Sequence, residues 1–179
     1  MELERMDLSR FSGRIAYEHL HRYAICRESL AGKRVLDLAC GTGYGTALLA
    51  EAGAKVTGLD ISSEAIKTAK ARYQRPGVKF LIGDCYNLPF EDGSFDVIVA
   101  NEMIEHVDQH DALLAEVKRV LADDGLFLVS TPNKPVYNRY KVPNVFHVSE
   151  MEIPEFHRLL SRYFDHIQLT GTRMALVSV

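Results

Sequence analysis

The stretch that most limits what this chain can fold into runs from Val35 to Asp60, VLDLACGTGYGTALLAEAGAKVTGLD. An aliphatic run meets three closely spaced glycines, Gly41, Gly43 and Gly45. A helix-like segment follows, then a second apolar run that ends in an acid. Strand, glycine turn, helix and parallel strand make one right-handed crossover unit. In sheets built from such units, ligands bind beyond the carboxyl ends of the strands. The glycine turn sits there, and glycine lets backbone approach a ligand closely. Asp60, at the end of the second run, can accept hydrogen bonds from a ribose diol. The chain is therefore expected to hold a nucleotide-like ligand.

The alternation continues along the chain. KRVLDLA (33–39), KVTGLD (55–60), VKFLIGD (78–84), FDVIVAN (95–101) and LFLVST (126–131) read as strands. Segments 14–30, 46–53, 64–73, 111–125 and 152–164 between or after them read as helices. Ser62 and Ser63 suit the start of the third helix, and Pro76-Gly77 ends it. In 111–125, Leu113, Leu114, Val117, Val120 and Leu121 share one face. The last segment, HIQLTGTRMALVSV (166–179), reads as two short antiparallel strands joined near Gly171. The expected class is α/β: a doubly wound, mostly parallel seven-stranded sheet with an antiparallel C-terminal strand pair. No internal boundary is visible, so 1–179 is taken as one domain. It would have an N-terminal arm (1–13) and a substrate-side loop (132–150) holding Pro132, Pro135 and Pro143.

Composition narrows the partners. A net charge of −3 and a pI near 6.2 offer no broad basic face, so nucleic acid is not expected. No apolar run is long enough for a membrane span, and MELERMDLSRF lacks the apolar core of a signal peptide. The three cysteines, Cys26, Cys40 and Cys85, have no framework spacing and suit reduced thiols in the cytoplasm. The sequence does not indicate an oligomeric state.

A nicotinamide dinucleotide is the obvious rival ligand. Its fingerprint requires a third glycine at position 46, and this chain has Thr46 there. The glycines run G-x-G-x-G instead, and Asp37 precedes them inside the strand. Asp84 ends the third strand on the same edge, where its oxygens suit the exocyclic amine of an adenine.

Four stretches then carry a family likeness: VLDLACGTGYG, VTGLDIS, FLIGDCYNLPFEDGSFDVIVANEMIEHV and LADDGLFLVSTPN, in that order. Over residues 14–179 the chain resembles the class I S-adenosylmethionine-dependent methyltransferases. The resemblance implies S-adenosylmethionine as cofactor and a Rossmann-like fold. It implies that Ala39, Gly41 and Gly43 meet the methionine part through backbone groups, with Asn101 beside it. Asp60 would hold the ribose, and Ile61 would pack on the adenine. Asp84 and the Cys85 backbone would read the adenine edge, and Asp37 would orient the glycine loop. Arg22 or His21 would meet the cofactor carboxylate.

The acceptor is addressed by NEMIEHVDQH, where Glu102, Glu105 and His106 fall within five residues. On a helical turn, Glu102 shares a face with Glu105 or His106, and His147 can return to the same edge. Two carboxylates and two imidazoles suit a divalent cation, Mg or Mn, which would activate an acceptor hydroxyl. Without a metal, His106 or His147 serves as general base. This E-x-x-E-H turn resembles those of small-RNA 3′-terminal ribose methyltransferases and ubiquinone-biosynthesis O-methyltransferases. The RNA enzymes' histidine-rich element is reduced here to FHVSEME, which argues against an RNA substrate. EHLHRYAIC, CGTGYGTALL and NVFHVSEMEIPEF are similar to bacterial methyltransferases found near glycosyltransferases. The expected activity is O-methylation of a small molecule or a sugar hydroxyl, with Tyr137 and Tyr140 placed to stack on a ring. A non-catalytic cofactor-binding module and a nicotinamide-dependent oxidoreductase are the alternatives.

Overall fold

The computed structural model describes residues 14–27, 30–137 and 146–171. Helix α1 (Arg14–Cys26) precedes strand β1 (Arg34–Leu38), helix α2 (Tyr44–Glu51), strand β2 (Lys55–Asp60), helix α3 (Ser63–Tyr73) and strand β3 (Val78–Ile82). Strand β4 (Phe95–Asn101), a 3-10 turn (Ile104–His106), helix α4 (His110–Val120) and strand β5 (Leu121–Ser130) follow. Two helices, α5 (Lys134–Tyr137) and α6 (Ile153–Leu160), complete the described chain. The five strands form one parallel sheet in the order β3-β2-β1-β4-β5. The winding reverses between β1 and β4, so their carboxyl ends open the crevice where such sheets bind ligands.

The period of two along a strand sorts the core into two layers. Leu36, Leu38, Ile98 and Ala100 pack with Leu113, Val117 and Val120 of α4. Val35, Val97 and Val99 pack on the other side with Tyr23 of α1 and Tyr44 and Leu49 of α2. Asp37 alternates with Leu36 and Leu38, so it must enter the α1–α2 layer. A third cluster seats Ile66 and Ala69 of α3 against Val78 and Phe80 of β3. Ser62 caps α3 by accepting from the Ala65 amide at 3.3 Å.

Several boundaries differ from expectation. α1 stops at Cys26, short of residue 30. α2 begins at Tyr44, ahead of the expected 46, because Gly43 at φ 86° turns the chain directly into it. α4 ends at Val120, since Leu121 already pairs with Phe95. The next paired position is Val97 with Leu126, so residues 122–125 bulge from the ladder. α6 is shorter than expected and ends at Leu160. β3 is an edge strand with Lys79, Leu81 and Ile82 exposed, so its second face is bare rather than covered by a helix. Residues 166–171 form no strand, and 172–179 lie outside the described residues, as does Tyr140 and the side chain of Tyr137. The loop 132–150 contains α5, and Asn133 bridges Met151. Among the described residues no helix is long and apolar enough to cross a membrane.

Candidate functional site

The glycine loop leaves β1 and is clasped by the end of β2. The Gly41 amide donates to Asp60 Oδ2 at 2.9 Å, and the Ser62 amide donates to Asp60 Oδ1 at 2.8 Å. Asp60 is buried, yet each oxygen keeps acceptor capacity for a second donor. Two glycines of the loop serve different ends. At Gly43 a Cβ would lie 2.7 Å from the Ala69 Cβ and 2.8 Å from the Phe80 ring, so packing excludes any side chain. At Gly41, φ is 54° and nothing lies within 4 Å of a Cβ, so that face of the loop looks into open space. Ala39, at φ 60°, holds a left-handed conformation that costs a non-glycine residue energy.

Asp37 supports the loop from beneath. It is fully buried; Thr46 Oγ1 donates to Oδ2 at 2.6 Å and the Tyr23 hydroxyl donates to Oδ1 at 3.1 Å. Burial raises this carboxyl to about 7, against the pull of those two hydrogen bonds and with a further push from the Asp60 charge. Thr46, the residue that breaks the dinucleotide fingerprint, is thus the buried anchor of Asp37. The Tyr23 ring lies over Gly45 and meets Tyr44 edge-on at 5.6 Å, and the Tyr44 hydroxyl reaches His19 Nδ1 at 3.2 Å. These contacts fasten α1 to the loop. Sequence spacing carried no sign of Tyr23, which stands fourteen positions before Asp37.

On the far rim the outcome is looser. Ile61 is 63% exposed. β3 ends at Ile82, so Asp84 lies two residues beyond the strand in an exposed turn. Asp84 Oδ1 accepts from the Tyr86 amide at 2.9 Å, and Cys85 is half-buried. Tyr86 then donates its hydroxyl to Asp108 Oδ1 at 3.0 Å, tying this turn to the chain after β4.

At the end of β4, Asn101 Nδ2 is buried without an acceptor among the described residues. The next residue, Glu102, has φ 51° and turns back on β5. Its amide donates to the Ser130 carbonyl oxygen at 3.1 Å, and Ser130 Oγ donates to Glu102 Oε1 at 2.8 Å. Arg22 of α1 pairs with Glu102 Oε2 at 3.2 Å. The four-residue grouping expected from the sequence therefore loses Glu102, which is held by Arg22 and Ser130. Arg22 is itself committed to this pair, and His21 is exposed.

The remaining three residues do come together. Donor atoms of Glu105, His106 and His147 all lie within 4.8 Å of one another. His106 Nδ1 donates to the Phe146 carbonyl oxygen at 2.9 Å, which leaves a lone pair on Nε2 of the neutral ring. That Nε2 is 3.9 Å from Glu105 Oε1. The His106 and His147 rings meet edge-on at 5.0 Å, and His147 Nδ1 contacts Glu150 Oε1 at 2.9 Å. The Glu105 carbonyl oxygen accepts from the Val148 and Ser149 amides, which ties the returning segment to the turn. Glu105 is 1% exposed, and burial, then the Glu102 charge, raises its carboxyl to about 8. Both its oxygens, Thr131 Oγ1 and Asn133 Oδ1 are buried with no hydrogen-bond partner among the described residues. A buried polar group left so costs about 1–3 kcal/mol, so these atoms mark a place for a polar ligand or water.

Residues 36–129 match a family described as a methyltransferase domain. A probable S-adenosylmethionine-dependent methyltransferase of Mycolicibacterium smegmatis is 38% identical over 132 residues, 73% of this chain and 51% of that protein. The phthiotriol/phenolphthiotriol dimycocerosates methyltransferase of Mycobacterium leprae is 39% identical over 112 residues, 62% of this chain and 42% of that protein. The chain thus spans about half the length of the curated relatives it matches. The solved PH0226 protein of Pyrococcus horikoshii superposes with a TM-score of 0.73 at 26% identity, covering 86% of this chain and 84% of that one. With more than half of its residues inside the family match, this chain belongs to the class I S-adenosylmethionine-dependent methyltransferases.

Proposed function

We propose that this chain transfers a methyl group from S-adenosylmethionine to a hydroxyl of a small molecule or sugar. The observation that carries the cofactor half is the clasp of Asp60 on Gly41 and Ser62, with an open face at Gly41 and an unmatched donor on Asn101. Those features fit the cofactor by chemistry: a carboxylate for the ribose diol, open backbone for the methionine part, and a buried amide beside it. Ala39, Gly41 and Gly43 present backbone to the methionine moiety, and Ile61 offers an exposed apolar face to the adenine. Asp84 and the Cys85 amide are the groups for the adenine edge, while Asp37 holds the loop through Thr46.

When bound, S-adenosylmethionine supplies a methyl group on a sulfonium, which departs as a thioether. His106 Nε2, its lone pair exposed by the Nδ1 hydrogen bond, takes the acceptor's hydroxyl proton. The acceptor oxygen bonds the methyl carbon, and the carbon–sulfur electron pair stays on sulfur. Calorimetry with S-adenosylhomocysteine (SAH) and NAD tests the reading; binding of NAD without SAH sinks it. Asp60→Ala is expected to weaken SAH binding by about 1–3 kcal/mol. His106→Asn is expected to slow turnover by about 10²–10⁴-fold with SAH affinity kept. A protein that binds SAH and methylates nothing would be the non-catalytic module.

A second reading has one observation behind it, the convergence of Glu105, His106 and His147. These three would hold a divalent cation, Mg or Mn, which would acidify an acceptor hydroxyl. Glu102 is not among them. Turnover unaffected by EDTA discards the cation. The cysteines Cys26, Cys40 and Cys85 are all unpaired, which supports a reducing cytoplasmic setting.

A further inference from the structure

We propose that Tyr23 is a positioning residue for the cofactor: seated on Gly45 and bonded to Asp37, it links the docking of α1 to the grip of the glycine loop on the methionine part of S-adenosylmethionine. The inference rests on the cofactor reading above and extends it to a helix outside the β–α alternation.

α1 precedes β1, so no strand pairing holds it in place. A helix of 13 residues is marginal by itself, and its order comes from docking. The docking face is narrow. Leu20, Tyr23 and Cys26 enter the layer with Tyr44 and Leu49, while Tyr17 and Ile25 are exposed. Polar anchors complete the seat: His19 meets Tyr44 of α2, Tyr23 meets Asp37 of β1, and Arg22 meets Glu102 after β4.

Tyr23 is the anchor that reaches the loop, and it does so twice. Asp37 and Thr46 stand at the two ends of the segment that holds Ala39, Gly41 and Gly43, and their 2.6 Å hydrogen bond closes it. The other Asp37 oxygen takes the Tyr23 hydroxyl at 3.1 Å. Without that donor a fully buried oxygen is left unmatched, a cost relieved by shifting Asp37 and the loop with it. The Tyr23 ring presses on the same segment. A Cβ at Gly45 would run into that ring, which supplies all three of its nearest neighbours. Gly45 lies in the first turn of α2 and has no left-handed φ, so alanine would be the better helix former there. Neither the backbone nor α2 calls for glycine at 45; the Tyr23 ring does. Coupling between two sites is reciprocal, so a ligand that orders the loop also holds α1 down.

The test compares SAH with 5′-methylthioadenosine, which keeps the adenosine and the sulfur and lacks the amino-acid part. Calorimetry gives both affinities. In Tyr23→Phe, which keeps the ring and loses the hydroxyl, SAH affinity is expected to fall about fivefold while that for methylthioadenosine holds. A general loss of structure would weaken both ligands alike. Gly45→Ala is expected to lower the SAH-to-methylthioadenosine affinity ratio by about tenfold, and to leave that ratio unmoved when added to Tyr23→Ala, where the new methyl strikes nothing. Amide hydrogen exchange supplies the reciprocal half: SAH should slow exchange at residues 20–26 in the wild type and not in Gly45→Ala. Should Tyr23→Ala fail to fold, Tyr23→Phe and the exchange data decide. An unchanged ratio in Tyr23→Phe, a Gly45→Ala effect that persists without the Tyr23 ring, or exchange in α1 that ignores SAH overturns the inference and leaves the cofactor reading standing. Wild-type protein that binds neither ligand defeats that reading instead.

Discussion

Gly41 and Gly43 stand two positions apart and should fail in opposite ways. Gly43→Ala drives a methyl into Ala69 and Phe80 and is expected to cost about 1–3 kcal/mol of stability, read from the urea midpoint. Gly41→Ala meets no neighbour, so its cost is the left-handed φ alone, about 1–2 kcal/mol, while SAH affinity drops. Unchanged SAH binding in Gly41→Ala would show that the open face is not the ligand's. Asp37 gives a pH signature. Its folded carboxyl sits at about 7, above the unfolded value, so between about 4 and 7 the native state holds a proton that the unfolded state has lost. Stability from this group is therefore full below about pH 4 and lost as pH rises through about 7, a span of at most about 4 kcal/mol. Asp37→Asn removes the titrating group, keeps one accepted hydrogen bond and reverses the other, since its NH2 can only donate to the facing hydroxyl oxygen. It should flatten most of that slope, and Glu105, raised in the same direction, leaves a remainder reaching to about pH 8. Urea unfolding at several pH values measures it, and an unaltered slope would refute the assignment.

At the scale of elements, α4 does more than fill the core. Its last turn reaches over the loop before β4. Arg119 donates to the Phe90 carbonyl oxygen at 2.7 Å and to the Leu88 carbonyl oxygen at 3.0 Å. Glu116 accepts from the Leu88 amide at 2.7 Å, and the Gly93 amide donates to the Arg119 carbonyl oxygen at 3.0 Å. The ion pair of Arg119 with exposed Asp92 adds little, because water screens it. Arg119→Met is expected to cost about 1–2 kcal/mol through the two lost carbonyl hydrogen bonds. Hydrogen exchange should speed up at residues 88–93 and not in β1; uniform loosening would contradict the clamp.

For the whole molecule, the reversal of strand order between β1 and β4 is the organising feature. It brings the loop after β1 and the turn after β4 to one crevice, with the Gly41–Asp60 clasp on one side and the cluster of Glu105, His106 and His147 on the other. A ligand that binds only this assembled edge stabilises the fold. SAH at about a hundredfold its Kd should add about 2.7 kcal/mol, seen as a raised Tm, and Asp60→Ala should lose most of that gain.

Much of this was legible in the residues. The alternation of apolar runs and helical faces gives the α/β sheet, because periods of two and 3.6 are local properties of the backbone. The G-x-G-x-G turn and Asp60 could be placed on one edge for the same reason, since each ends a strand. Thr131 and Asn133 stand on that edge too, in the STPN after the fifth strand, and the rule that found Asp60 could have found them. Other features were not legible. Glu102 shares a short motif with Glu105 and His106, yet it turns to Arg22, eighty positions earlier in the chain. The turn bearing Glu105 is tied down by the Val148 and Ser149 amides, forty-odd positions later in the chain, and the exposed face of β3 meets no helix among the described residues. The sequence by itself determined which five segments form the parallel sheet, which face of α4 is apolar and that Asp60 ends its strand at the carboxyl edge, but not the expected C-terminal strand pair, whose segment 166–171 forms no strand. Tertiary structure alone decided which polar atoms find partners and which stay unmatched. Pairing depends on distances between segments remote in the chain, and those distances leave no period in the sequence.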